Sequence, residues 1–381
     1  MTRKIDLIMN EINKKYKAEL IHQGTDIIEI DKIPFSSPTA NYMTYGGIPI
    51  GKFTEFYGGE GGGKTTSALD IVKNAQIKFK QVWEKKILEL DEQIEALANR
   101  ENKQDKAKRT KLEGEKSNLL EEGPKLVVYV DAEQTLDTQW AQLLGVNTEE
   151  LILVRPQAET AEQVLQIIID LVSTGNVGLV VLDSIPMLVS QNIFDESMEK
   201  KSYGGISQAL TTFCQKITPH LNTTQCAFIG INQVREDLSS MYNTESTPGG
   251  KAWKHACSLR IKVRKGSFLD ENRGELTSRA ENPAGNKVEL TITKSKSCKS
   301  DRRLGYYTLS YTDGIDIVYD TVTVALQYGL VRKSGAWYYI QKGEEEQGFQ
   351  GLAKILNYLR ENDEELSILI NTLEAKMNER S

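Results

Sequence analysis

The octapeptide Gly58-Gly59-Glu60-Gly61-Gly62-Gly63-Lys64-Thr65 sets a run of glycines against a lysine and a hydroxyl. It matches the phosphate-loop pattern G-x-x-x-x-G-K-[ST]. Its context also fits, because Phe53–Tyr57 is a short apolar stretch and Ala68, Leu69, Ile71, Val72 and Ala75 follow at helical spacing. Glycines let backbone N–H groups turn inward on phosphate oxygens, and a helix N-terminus adds partial positive charge. Lys64 can reach β- and γ-phosphates, while the Thr65 hydroxyl can ligate Mg²⁺. Gly58 and Gly63 are the motif glycines; Gly59, Glu60, Gly61 and Gly62 fill the loop, and Thr66 follows it. A flexible linker could share the glycines, but not Lys-Thr between a strand and a helix.

Three other segments end apolar strands in polar groups. Leu179–Leu182 runs into Asp183-Ser184, the usual companion of a phosphate loop, whose carboxylate holds Mg²⁺ through water. Val128-Tyr129-Val130 runs into Asp131-Ala132-Glu133, and Glu133 can serve as base for an attacking water or as an ordinary surface acid. Ile229-Gly230-Ile231-Asn232 ends in Gln233, where an amide can sense a γ-phosphate and pass the signal to the loop beyond. Taken alone, Gln233 reads as a polar strand end.

These residues need a scaffold. The chain has 381 residues and a formal net charge of −6, enough for a large α/β domain plus a smaller module. The charge argues against a generic basic nucleic-acid binder, yet leaves room for loops with local positive potential. No apolar run reaches membrane-spanning length and the start lacks a secretion-signal core, so a cytoplasmic protein is expected. Cys214, Cys226, Cys257 and Cys298 lack zinc-ligand spacing. Residues 4–20 suit an amphipathic helix and Ile27–Ile30 a strand. Further strands are expected at Leu126–Val130, Leu179–Leu182, Ala227–Ile231, Ser258–Val263, Val288–Thr293 and Tyr306–Tyr311, with helices at Ala161–Val172 and Ile206–Thr218. Such alternation predicts a parallel or mixed sheet covered on both faces.

Residues 77–122 break the rhythm. Trp83, Ile87, Leu90, Ile94 and Leu97 are spaced 4, 3, 4, 3, a heptad seam. A polar break at 99–105 precedes a second charged stretch with Leu112 and Leu119. The pattern predicts an antiparallel helical hairpin inserted after the phosphate-loop helix, projecting about 30 Å if its first arm continues that helix at about 1.5 Å per residue. Its eleven basic and eleven acidic residues fit a solvated spacer as well as a docking arm for a neighbouring subunit or another protein.

In their order, these motifs resemble the RecA family of homologous-recombination ATPases. The resemblance is carried by Gly46–Lys52, Gly58–Thr66, Asp131-Ala132-Glu133, Leu136-Asp137, Leu144-Gly145-Val146, Val181–Ser184, Asn232–Arg235, Gly249-Gly250 and Gly335-Ala336-Trp337-Tyr338. It covers roughly residues 30–340 apart from the hairpin.

The resemblance implies an α/β phosphate-loop ATPase core with a central, mostly parallel sheet. Around it would lie an N-terminal helix–strand oligomerisation element (1–33), a core (34–340) with the inserted hairpin, and a small C-terminal helical module (341–381). It implies ATP and Mg²⁺, with Glu133 activating water, Asp137 contacting the adenine amino group and Trp140 stacking on the ring where the family usually carries Tyr. Thr65 and Asp183 would hold the metal, and Gln233 would couple the γ-phosphate to the following loop. Lys294 and Lys296 match lysines that reach the neighbouring subunit's ATP; by themselves they read as solvated residues on one strand face.

For single-stranded DNA it implies loop 235–250, with Arg235, Leu238, Met241, Tyr242, Gly249 and Gly250. It adds Lys200 and Lys201 in a first loop at about 190–205, and Thr212 and Lys216 on the helix that follows that first loop. Without it, 235–250 reads as a surface loop whose Glu236 and Asp237 repel phosphate. The expected activity is a DNA-dependent ATPase that polymerises on single-stranded DNA, pairs it with homologous duplex and exchanges strands. The insertion and short tail fit a phage origin. A hexameric helicase of the same fold, or a nucleotide-gated filament scaffold or recombination mediator without strand exchange, are the alternatives.

Overall fold

The computed structural model describes residues 4–16, 30–98, 102–195, 205–237, 244–299, 301–343 and 345–379. The chain divides into two units, Met1–Asp31 and Lys32–Ser381. The first contains the helix Lys4–Tyr16, matching the amphipathic stretch; its residues Ile5, Leu7 and Ile8 are exposed. The strand expected at Ile27–Ile30 lies mostly outside the described residues.

The second unit is built on one large sheet. Its strands are β1 (Phe53–Gly58), β2 (Leu126–Asp131), β3 (Leu151–Val154), β4 (Val177–Asp183), β5 (Ala227–Gln233), β6 (Cys257–Leu269), β7 (Gly285–Ser295), β8 (Leu304–Ser310) and β9 (Gly314–Ile315). They lie in the order β9-β8-β7-β6-β1-β5-β4-β2-β3, with Glu275–Leu276 pairing on β6. From β3 to β6 all pairings are parallel; β7, β8 and β9 extend the sheet antiparallel. Parallel strands are buried on both faces, which is why β4 and β5 read as continuous apolar runs rather than alternating ones. One apolar cluster, including Phe56, Leu69, Val72 and Ile229, fills one side of the sheet. A second, including Phe53, Ile168, Phe213 and Trp253, fills the other. The helix Ala161–Ser173 on that second side starts in a capping box between Thr160 and Gln163.

The phosphate-loop helix α1 runs unbroken from Lys64 to Ala98, and α2 (Lys103–Glu122) packs back against it. Leu90, Leu97 and Leu112 are buried in the seam with Ile94 and Leu119 beside them, as the heptad spacing requires. Trp83 Nε1 donates to the Leu119 carbonyl at 2.8 Å, and Lys116 pairs with Asp91 at 2.5 Å, fixing an antiparallel register.

A third cluster runs from Val318 to Met377 and so draws on both sides of residue 340. Its three-stranded antiparallel meander is Val331–Ser334, Trp337–Lys342 and Glu345–Gln350, followed by helices Leu352–Glu361 and Asp363–Glu379. Residues 341–381 thus contribute a strand as well as the helices their spacing suggested. Gly335-Ala336 makes the tight turn of the first hairpin, with Gly335 at φ +58°. Among the described residues, no helix is long and apolar enough to cross a membrane.

Candidate functional site

The parallel strands β1, β2, β4 and β5 end on the same edge of the sheet, where an open α/β fold places its ligands. Two glycines of the loop after β1 have specific reasons. A Cβ on Gly58 would stand 2.1 Å from the Val263 carbonyl oxygen on β6, and Gly63 turns into α1 at φ +95°. The long helix begins at Lys64 and aims its free N–H groups at the loop. Lys64 Nζ donates to the carbonyls of Gly58 and Gly59 at 3.2 and 2.6 Å. Burial lowers the Lys64 pKa, while Asp183, Glu133 and Glu60 pull it back up. The ammonium is therefore buried and kept charged, and phosphate oxygens could replace the two loop carbonyls as its partners.

Thr65 Oγ1 donates to Asp183 Oδ2 at 2.8 Å, and Tyr129 Oη donates to the same oxygen at 2.7 Å. Burial pushes the Asp183 carboxyl above its ordinary range; the two hydroxyls counter this, and Glu133 and Asp131 add to it. A hydroxyl against a buried carboxylate, all hard oxygen donors, fits Mg²⁺ shared with phosphates.

The tip of β2 is stitched to β4, because Ala132 N–H and Glu133 N–H donate to the Asp183 carbonyl at 2.7 and 3.3 Å. The Asp131 side chain shapes the turn that follows, accepting from Thr135 N–H and Leu136 N–H at 3.1 Å each and from Arg155 Nε at 3.2 Å. Glu133 is thereby held over the end of β4, where its Oε1 accepts from Ser184 Oγ. Gln233 Nε2 reaches the same oxygen from β5 at 3.4 Å.

Beside the loop lies a cleft of about 320 Å³ lined by Gly61–Thr66, Trp140, Lys265, Asn286 and Tyr311. The Tyr311 hydroxyl donates to Asn286 Oδ1 at 2.8 Å. Tyr311 and Trp140 offer two aromatic faces at one opening, which suits a purine. Lys265 on β6, Asn286 on β7 and Tyr311 just past β8 come from segments remote in the chain, which spacing along the sequence does not bring together; the expected strand 306–311 in fact ends at Ser310. Asp137 uses Oδ1 to cap the helix Thr138–Leu143, accepting from Gln139 N–H and Trp140 N–H, and so sets the orientation of Trp140.

Lys294 and Lys296 lie at the end of β7. Their ammonium groups hold the carbonyls closing the short helix Gly250–Ala256: Lys294 donates to Lys254 O at 2.5 Å and His255 O at 3.2 Å, and Lys296 to His255 O at 2.9 Å. Burial lowers the Lys294 pKa, and neighbouring Lys296 lowers it further.

Arg235–Asp237 pairs with Thr244–Ser246 as a two-stranded ribbon, so part of the expected loop 235–250 is regular. Arg235 is exposed, and Gly249 and Gly250 both have positive φ. Leu238, Met241, Tyr242, Lys200 and Lys201 lie outside the described residues. Thr212 and Lys216, on the helix Gly205–Thr224, line a separate cleft of about 340 Å³ with Glu162, Gln166 and Gln208.

The family model for the RecA N-terminal domain matches residues 3–83 and 116–316, leaving out only the outer part of the hairpin between them. Protein RecA of Thermus aquaticus is 32% identical over 356 residues, covering 93% of this chain and 86% of that protein. Protein RecA of Acidothermus cellulolyticus is 29% identical over 367 residues, covering 96% and 88%. Protein RecA of Malacoplasma penetrans is 28% identical over 365 residues, covering 94% and 92%. With its loop, strand-tip carboxylates and sheet order in place, the chain belongs to the RecA family.

Proposed function

We propose that this chain is an ATP-dependent recombinase that forms filaments on single-stranded DNA, pairs it with homologous duplex and exchanges strands. The observation that carries this reading is the meeting of Glu133 and Gln233 on one oxygen. It joins the group suited to take a proton from water to the strand that runs directly into segment 235–250.

Lys64, Thr65 and the loop N–H groups hold the β- and γ-phosphates, and Trp140 and Tyr311 hold the base, with Asp137 near its amino group. When bound, Mg²⁺ supplies charge neutralisation at the phosphate oxygens, held there by Thr65 and Asp183. Glu133 orients the attacking water and takes its proton, and Gln233 reports the γ-phosphate to the DNA segment. Lys294 and Lys296 stabilise transition-state charge in the neighbouring subunit's site, so turnover needs adjoining protomers. Arg235, Gly249, Gly250, Thr212 and Lys216 contact the strand's backbone, while Leu238, Met241 and Tyr242 pack against bases and Lys200 and Lys201 add positive charge. Homology is then tested by base pairing between strands, and the protein reads backbone and stacking alone.

The test is ATP turnover with and without single-stranded DNA, beside a three-strand exchange assay. Turnover should be DNA-dependent and exchange ATP-dependent, and Lys64→Ala should abolish both, because the β- and γ-phosphates lose their cation in the bound and transition states. Full turnover by a monomer without DNA would refute the reading, and DNA-dependent turnover without exchange would leave a filament scaffold.

A further inference from the structure

Glu55 lies three residues before Gly58 on β1 and is wholly buried. Both its oxygens are engaged. Oε1 accepts from Asn232 Nδ2 at 2.8 Å and from Trp253 Nε1 at 2.8 Å, and Oε2 accepts from Arg260 Nε. A buried carboxylate met by three donors is costly to disturb, because each lost partner leaves a desolvated polar group behind.

Further bonds of Asn232 and Arg260 lead to the two ends of segment 235–250. Asn232 Oδ1 accepts from the backbone N–H of Gln233 at 3.0 Å, at the entry. Asn232 Nδ2 also donates to the Pro248 carbonyl at 2.9 Å, at the exit. Arg260 Nη2 donates to Thr247 Oγ1 at 3.2 Å, while its guanidinium lies 4.7 Å over the Tyr57 ring. Trp253 sits on the helix that closes the segment, edge-on to Phe53 of β1 and Phe228 of β5 at 5.5 and 6.1 Å. A Cβ on Gly230 would stand 2.5 Å from the indole, so glycine there lets the ring lie directly on β5. One carboxylate on the phosphate-loop strand thus gathers residue 232 before the segment and residues 247 and 253 around its end.

We propose that Glu55 is a positioning residue that couples DNA to hydrolysis, holding both ends of segment 235–250 in register with the phosphate loop. DNA seated on the segment then bears on Gln233, and through it on Glu133, because neither end of the segment can shift without straining the Glu55 bonds. This deepens the recombinase reading and rests on it. The negative charge is the essential feature. An amide at this position has one acceptor oxygen, so its NH2 group must face either the Arg260 guanidinium or the Asn232 and Trp253 donors.

Glu55→Gln and Trp253→Phe, the latter keeping an aromatic ring, though a smaller one, and losing one donor, test the proposal beside the unaltered protein. Three quantities are compared: turnover with saturating single-stranded DNA, turnover without DNA, and affinity for a fluorescent ATP analogue without DNA. In Glu55→Gln the DNA stimulation should fall roughly tenfold, and in Trp253→Phe roughly threefold, with the two DNA-free quantities within about twofold of the unaltered protein. A merely structural role would lower all three together, and that result overturns the proposal. So does full DNA stimulation in both variants. If Glu55→Gln does not fold, Trp253→Phe decides alone, and unchanged stimulation in it overturns the proposal. Failure of the recombinase reading is seen separately, as an absence of DNA stimulation in the unaltered protein, and the proposal falls with it.

Discussion

Gln233 and Glu133 meet across the end of the strand that lies between their own, with Gln233 Nε2 3.4 Å from Glu133 Oε1. Ser184 donates to the same oxygen from that middle strand. Three strand tips therefore converge on one carboxylate, and only the sheet order β5-β4-β2 makes this possible. The arrangement gives Glu133 a fixed orientation beside Lys64, as proton transfer from a bound water requires.

Glu133→Gln keeps an oxygen for Ser184 but removes the base. Turnover at saturating ATP and DNA should fall by at least about 100-fold, while ATP-dependent assembly on DNA persists. Steady-state turnover and negative-stain imaging of one preparation separate the two effects, and undiminished turnover would remove Glu133 from the mechanism.

Lys294 and Lys296 currently hold the backbone carbonyls of Lys254 and His255. If they serve a neighbouring subunit's site, Lys294→Ala with Lys296→Ala should lower turnover on the order of a thousandfold, with nucleotide affinity of the unassembled protein little changed. Mixing the double variant with Glu133→Gln should restore some activity, because a variant subunit's intact Glu133 can then face a partner's intact lysines. No recovery across mixing ratios would argue against sites completed in trans.

Asp320 is fully buried on the helix Ile317–Gln327, and burial raises its carboxyl from 3.8 to about 7, against the hydrogen bond it accepts from Thr308 N–H. The folded chain binds this proton more tightly than the unfolded chain. Its contribution to stability is therefore complete below the unfolded value and is lost as pH rises through about 7. Asp320→Asn keeps an acceptor for Thr308 and removes the titration. Between pH 4 and 7 the unaltered protein should lose stability relative to the variant, by at most about 1.4 kcal/mol per pH unit. Thermal midpoints of both proteins across that range are the check, and parallel curves would sink the assignment.

The hairpin's seam of Leu90, Leu97 and Leu112 is its own, apart from the sheet's clusters. Replacing residues 84–115 with a short glycine-serine link should leave the thermal midpoint of the core within a few degrees, since most of the buried apolar area lies elsewhere. DNA-dependent turnover at high protein concentration should survive as well. A collapse of turnover in a folded variant would mean that the hairpin helps complete the site.

Much of this protein was legible before folding was considered. The phosphate loop is local, since its glycines, lysine and threonine act within eight residues of chain. The heptad spacing is local too, and its Leu90, Ile94 and Leu97 form the seam with Leu112 and Leu119, because helical spacing alone decides which residues share a face. The apolar runs ending in Asp183, Glu133 and Gln233 announced buried parallel strands, because such strands need apolar residues on both faces.

What the sequence could not supply was proximity between distant segments. Tyr311 and Asn286 join Lys265 and Trp140 at one cleft only because antiparallel strands β7 and β8 extend the sheet past β6. Glu55 reads as a stray acid in an apolar strand until the fold brings Asn232, Trp253 and Arg260 to it from up to 205 positions away. Short-range chemistry is written in spacing along the chain. A buried charge depends on which donors the tertiary packing delivers, and desolvation makes that delivery compulsory.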